Sequence, residues 1–105
     1  MSKAKSYNFP DHKSGDTFAG VQFEILVNTV AANLVGSTIN MEINGTLTYS
    51  TSTGELVLSD PSNGKFQFAE QIIDLVPGNY YYEITITFAD LSVKTYIEGY
   101  WRIIE

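Results

Sequence analysis

Residues 76–88 leave this chain little choice but to form a β-strand. Pro77 presets its own φ and Gly78 accepts positive φ, so the pair opens an abrupt turn. Strict alternation follows. Tyr80, Tyr82, Ile84, Ile86 and Phe88 fall on one face, and Tyr81, Glu83, Thr85 and Thr87 on the other. A period of two belongs to a strand with one buried and one wet side. A helix would scatter the same apolar residues around its circumference.

The rest of the chain repeats the signal more weakly. After the Gly15-Asp16-Thr17 turn, Val21, Phe23, Ile25 and Val27 alternate with Gln22, Glu24, Leu26 and Asn28, which predicts a long strand. Leu26 suggests a partly covered outer face. Ile39, Met41 and Ile43 point inward from the next strand. Asn44-Gly45 is a hairpin signal, although Leu47 and Tyr49 continue the alternation beyond it and also suit a bulge. Residues 56–59 read as a short strand, Asp60-Pro61-Ser62-Asn63-Gly64 as a strong turn, and residues 65–68 as the returning strand. Residues 71–75 read as one helical turn or irregular chain. In the last strand Ile97, Gly99, Trp101 and Ile103 share one face, with Tyr96, Glu98, Tyr100 and Arg102 on the other. Gly99 signals a bulge or a close backbone approach.

About seven short strands, with turn signals roughly every 8–12 residues and no helical period, predict an all-β sandwich. Tyr80 suits the tyrosine-corner position, its ring buried and its hydroxyl bonded to nearby backbone. Trp101 is the largest expected core side chain. Truncating either to alanine is expected to cost about 3–5 kcal/mol.

With 105 residues the chain makes one domain, taken here as residues 15–105. Residues 1–14 read as a polar, mobile tail that pairs only loosely. Tyr7 and Phe9 offer it a means of docking on a sheet edge, and Pro10 with Asp11 and His12 would stop a strand there. The absence of cysteine excludes disulfides, zinc–thiolate sites and thiol nucleophiles. The net charge of −6 has a pattern, since Lys3, Lys5 and Lys13 precede residue 14 and only Lys65, Lys94 and Arg102 remain for the body. An acidic body argues against nucleic acid and against an anionic membrane surface as partners. No apolar run follows Met1-Ser2-Lys3-Ala4-Lys5, so the chain is expected to be made and kept in the cytoplasm.

No constellation of catalytic residues emerges. His12 is the lone histidine and sits beside Asp11 in the polar N-terminal stretch, a poor place for a general base. Asp16, Asp60 and Asp90 occupy turns, where aspartate is a good turn former, and none begins an EF-hand loop. The expectation is therefore a non-enzymatic protein with no cofactor and no metal. A hydrolase would need a deep cleft, which a sandwich of this size rarely has. The exposed aromatics carry the binding signal. Tyr81, Tyr96 and Tyr100, rimmed by Glu83 and Glu98, are predicted to form one outward patch able to hold a protein partner or stack on a sugar ring. The competing expectation is that residues 7–9 cover that patch.

The order of these signals resembles the immunoglobulin-like domains at the N-termini of tailed-phage baseplate and fibre proteins, including the upper baseplate protein family. The likeness runs over residues 15–104. It is carried by Gly15-Asp16-Thr17 before Val21 to Ile25, by Asn33-Leu34-Val35-Gly36-Ser37-Thr38-Ile39, by Asp60 to Phe68, by Pro77-Gly78-Asn79-Tyr80-Tyr81-Tyr82-Glu83-Ile84, and by Lys94 to Gly99. The family's hairpin loop is usually Asp-Gly or Asn-Gly, where this chain has Asp90-Leu91-Ser92. The resemblance implies an immunoglobulin-like β-sandwich of antiparallel strands and a structural or adaptor role in a phage or prophage tail. It implies other tail proteins or self-association as partners, and a place in the virion once assembled. Family members often continue into fibre or receptor-binding segments; the end at Glu105 speaks against direct host recognition and favours a small adaptor, or a stranded prophage or mobile-element gene product. The alternative function is a small carbohydrate-binding module using the exposed tyrosines.

Overall fold

The computed structural model describes residues 5–105. In chain order the strands are β1 (Lys5–Ser6), β2 (His12–Lys13), β3 (Thr17–Phe18), β4 (Val21–Glu24), β5 (Leu26–Val27), β6 (Val30–Ala31) and β7 (Thr38–Ile43), then β8 (Leu47–Ser50), β9 (Leu56–Asp60), β10 (Lys65–Phe68), β11 (Gln71–Ile72), β12 (Gly78–Thr87) and β13 (Val93–Ile104). Seven of these, β4, β7, β8, β9, β10, β12 and β13, have four or more residues.

The larger sheet runs β8, β7, β12, β13, with β1 and β2 laid parallel along the outer edge of β13. Facing it is a smaller sheet, β4-β10-β9. This partition is that of an immunoglobulin sandwich, with the B-E-D strands in one sheet and G-F-C in the other, extended by a C′ strand. The chain is an all-β sandwich of that kind. Its core lies between the sheets, where Phe23, Phe66, Phe68 and Leu56 meet Trp101, Tyr82, Ile84 and Met41, all buried. Phe23 and Phe66, directly opposite in register, stack at 5.3 Å.

The organising strand behaves as its alternation demands. Tyr82, Ile84 and Ile86 are buried, and Tyr81, Glu83, Thr85 and Thr87 line the outer face at intermediate exposure. Tyr80 donates its hydroxyl hydrogen to the Val76 carbonyl, the tyrosine-corner bond. Its ring, however, is only half-buried against the core. The loss on Tyr80→Ala is therefore expected to fall below that on Trp101→Ala. The fully buried tyrosine is Tyr82.

Two expectations change, and one open alternative is resolved. The strand through Val27 ends at Glu24, and Leu26–Val27 turns back on Val30–Ala31 as a small exposed hairpin. Its tip residues, Asn28 and Thr29, both take positive φ (53° and 65°). Asparagine tolerates that region, but a β-branched threonine rarely enters it, so no usual hairpin signal announced the turn. Of the two readings open for residues 71–75, the irregular one holds for 73–75, with Ile73 buried, while Gln71–Ile72 adds a short pairing with β3. The described part of the N-terminal stretch, residues 5–14, lies along the body, where a loosely pairing tail was expected; residues 1–4 fall outside the described residues. The Tyr7 and Phe9 amides donate to the carbonyls of Glu98 (2.8 Å) and Tyr100 (3.1 Å), and the Ser14 amide to that of Ile104 (2.8 Å). Pro10 interrupts the pairing between β1 and β2, as a residue without an N–H must.

Gly99 is the reason the N-terminal stretch fits. A Cβ built there would stand 1.9 Å from the Tyr7 carbonyl oxygen and 2.7 Å from its carbon. The obstacle is backbone, so no rotamer change relieves it. Gly99→Ala is expected to destabilise the fold by about 1–3 kcal/mol, the usual cost of overpacking. It should also speed hydrogen exchange at the Tyr7 and Phe9 amides, which NMR resolves residue by residue.

Candidate functional site

The outer face of the larger sheet brings together four of the five residues singled out in the sequence. Tyr81 and Tyr100 are register partners on β12 and β13, their ring centroids 5.4 Å apart and the planes inclined by 58°. Two residues along, on the same face, Glu83 pairs with Glu98, and across the other edge of β12 it pairs with Glu42 of β7. Three glutamates thus stand side by side on neighbouring strands, which lie roughly 4.8 Å apart. Glu42 was not singled out, because it sits on a separate strand. Only the strand register reveals it.

Tyr96 does not join them. The β12–β13 register slips between Ile84 and Thr85, leaving Tyr96 as the extra residue of a β-bulge. Beyond the bulge the alternation resets. Tyr96 packs against the core margin, edge-on to Phe88 at 6.2 Å, and borders a small cleft with Ile25 and Ile97. The expected three-ring platform is a two-ring pair.

The pair is uncovered by residues 7–9. Phe9 goes into the core and Tyr7 turns toward it, edge-on to Phe23 at 5.6 Å. Only the Asn8 side chain approaches, accepting the Tyr100 amide at 2.9 Å. Tyr100 remains 62% exposed.

The electrostatics of the face are one-sided. The Tyr81 hydroxyl donates to Glu98 Oε2 at 2.8 Å. That hydrogen bond, with some desolvation and the neighbouring Glu83 charge, holds the Tyr81 phenol up at about 12. Among the described residues the one ion pair is Arg102 with Asp11, at 3.7 Å and largely exposed; no cation pairs with the glutamate row. Like charges directly opposite in a sheet destabilise it. Glu83, flanked on both sides, is therefore expected to cost stability. Glu83→Gln should raise stability by about 0.2–1 kcal/mol, with a gain that shrinks as salt is added. Urea titrations at two ionic strengths check it, and an unchanged midpoint at low salt would contradict it.

Asp60 and Asp90, singled out in the sequence, serve turns. Asp90 accepts the Ser92 amide at 3.0 Å and its hydroxyl at 2.6 Å, and these bonds hold its carboxyl below the usual range. Asp60 accepts the Asn63 amide group at 3.0 Å. His12 places Nε2 2.9 Å from the Asp16 carbonyl oxygen. Among the described residues no three acidic or histidine side chains gather closely enough to hold a metal ion, and no helix is long and apolar enough to cross a membrane. Comparison with protein-family models, with curated proteins and with solved structures finds no match to this chain.

Proposed function

We propose that this protein is a non-enzymatic docking module that binds other proteins through the outer face of its larger sheet. The observation that carries the reading is the Tyr81–Tyr100 pair beside the row Glu42, Glu83, Glu98, left open by the chain's own N-terminal stretch. Amphipathic tyrosines supply contact area at low entropic cost, and the carboxylates favour a partner surface bearing arginine or lysine. The same carboxylates repel phosphate, which disfavours nucleic acids and anionic membranes. Together with the resemblance to phage-tail immunoglobulin-like domains, this supports a structural or adaptor role in a phage or prophage tail, with other tail proteins or further copies as partners and the virion as its place after assembly.

The test is binding, by calorimetry, to purified products of the neighbouring genes. Binding weakened roughly tenfold or more by Tyr100→Ala is expected for a hot-spot aromatic. Absence of both self-association and binding to any neighbouring product would overturn the proposal. The carbohydrate-binding alternative loses ground because Tyr96 lies apart and the two remaining rings are tilted to one another rather than coplanar. A glycan array with hits abolished by Tyr100→Ala would restore it.

A further inference from the structure

We infer that residues 5–14 form an exchangeable strand, and that the slot they fill on the edge of β13 accepts the same residues from a second copy of this chain. The inference rests on the assembly reading above and names the way in which copies link.

The slot is built around this segment. The Tyr7 carbonyl sits over Gly99, at a spot closed to any other residue type, and there it accepts the hydroxyl hydrogen of Tyr82. Tyr82 is wholly buried, and burial pushes its phenol pKa up strongly. Without the segment that hydroxyl would lose its acceptor and the ring would lose its cover. Phe9 is the plug. It is 5% exposed and its ring lies 4.8 Å from that of Trp101 and 4.9 Å from that of Tyr82. Withdrawing the segment would open the aromatic core and bare the edge of β13.

These requirements select the occupant. The slot needs a parallel strand whose aromatic side chain falls two residues after the carbonyl over Gly99, with an acceptor side chain between them to take the Tyr100 amide. Tyr7-Asn8-Phe9 meets all three, so another copy of this chain is the partner that fits. The segment joins the body through Ser14 and the exposed Gly15, whose φ is 88°. The bonds that hold this junction, from the Gly15 amide to the Ile73 carbonyl (2.8 Å) and from the Ser14 hydroxyl to the Leu75 carbonyl (2.6 Å), must open for the path to change. The contacts made by the segment are the same in either copy, so exchange depends on concentration and on strain in the connecting turn.

Position 6 lies opposite position 98 in the parallel pairing, and the chain contains no cysteine, so an engineered disulfide reads the exchange directly. One full-length chain carries Ser6→Cys, another Glu98→Cys, and the two are mixed at high concentration, unfolded in urea under reductant, refolded together and oxidised. The expected product is a covalent dimer whose peptide map joins position 6 of one chain to position 98 of the other. Its yield should fall several-fold when the Glu98→Cys chain also carries Gly99→Ala. A chain bearing both cysteines should close on itself when dilute. Mixtures that stay monomeric, or that link only like positions, would overturn the inference. Failure of the double-cysteine chain to close would overturn it too, by removing the segment from the edge of β13. Absence of the mixed link while Tyr100→Ala still weakens partner binding would reject exchange and leave the docking face standing.

Discussion

Trp101→Ala is expected to lower the stability of the fold by about 3–5 kcal/mol. The indole is 1% exposed, and rings of Phe9, Phe18 and Phe68 stand 4.8, 5.5 and 5.8 Å from it. Both sheets and the N-terminal stretch therefore lose a shared neighbour, and rings anchored in three separate segments cannot all collapse into the space. Its N–H has no hydrogen-bond partner among the described residues, so the truncation forfeits packing rather than a polar contact. Since small domains commonly hold about 5–15 kcal/mol of stability, the variant should unfold at much lower urea or fail to fold at 37 °C. An unchanged urea midpoint would mean that the inner and outer faces of β13 are reversed.

Phe9→Ala is expected to cost a similar amount, about 3–5 kcal/mol. This is the sharper prediction, because a residue in a loose tail could be truncated almost without effect. Phe9 lies within 6.3 Å, ring to ring, of Phe18, Phe23, Phe68, Tyr82 and Trp101 as well as Tyr7. Removing it opens a void between the sheets and loosens the strand that carries it. Equilibrium urea denaturation of the two proteins side by side measures the difference. A loss below about 0.5 kcal/mol, the range of ordinary surface substitutions, would return Phe9 to the surface.

The parts of the fold that were legible in the sequence are those with several residues repeating one period. Tyr82, Ile84 and Ile86 on β12, and Ile97, Trp101 and Ile103 on β13, are buried as their alternation requires. Gly99 announced a bulge or a close approach, and the close approach is the one found there. The N-terminal stretch was hidden because its hold on the body comes from backbone hydrogen bonds and one plug residue, and neither leaves a periodic trace. The Asn28-Thr29 turn was hidden because threonine is an unusual choice for positive φ. In the candidate site, one-strand alternation placed Tyr81, Glu83, Glu98 and Tyr100 correctly on the outer face. It misplaced Tyr96, since a bulge resets the alternation and none of the flanking residues marks it. Glu42 could be found only from the register between β7 and β12.

The sandwich is completed by its own N-terminal strand, which closes one edge of the larger sheet and leaves the Tyr81–Tyr100 face as the surface on offer. Native-state hydrogen exchange at the Tyr7, Phe9 and Ser14 amides tests this most directly, because all three donate to carbonyls of β13. The prediction is protection approaching that of the β12–β13 amides, and lost together with them as denaturant is added. Exchange at the rate of a free peptide would contradict it and return residues 5–14 to a tail.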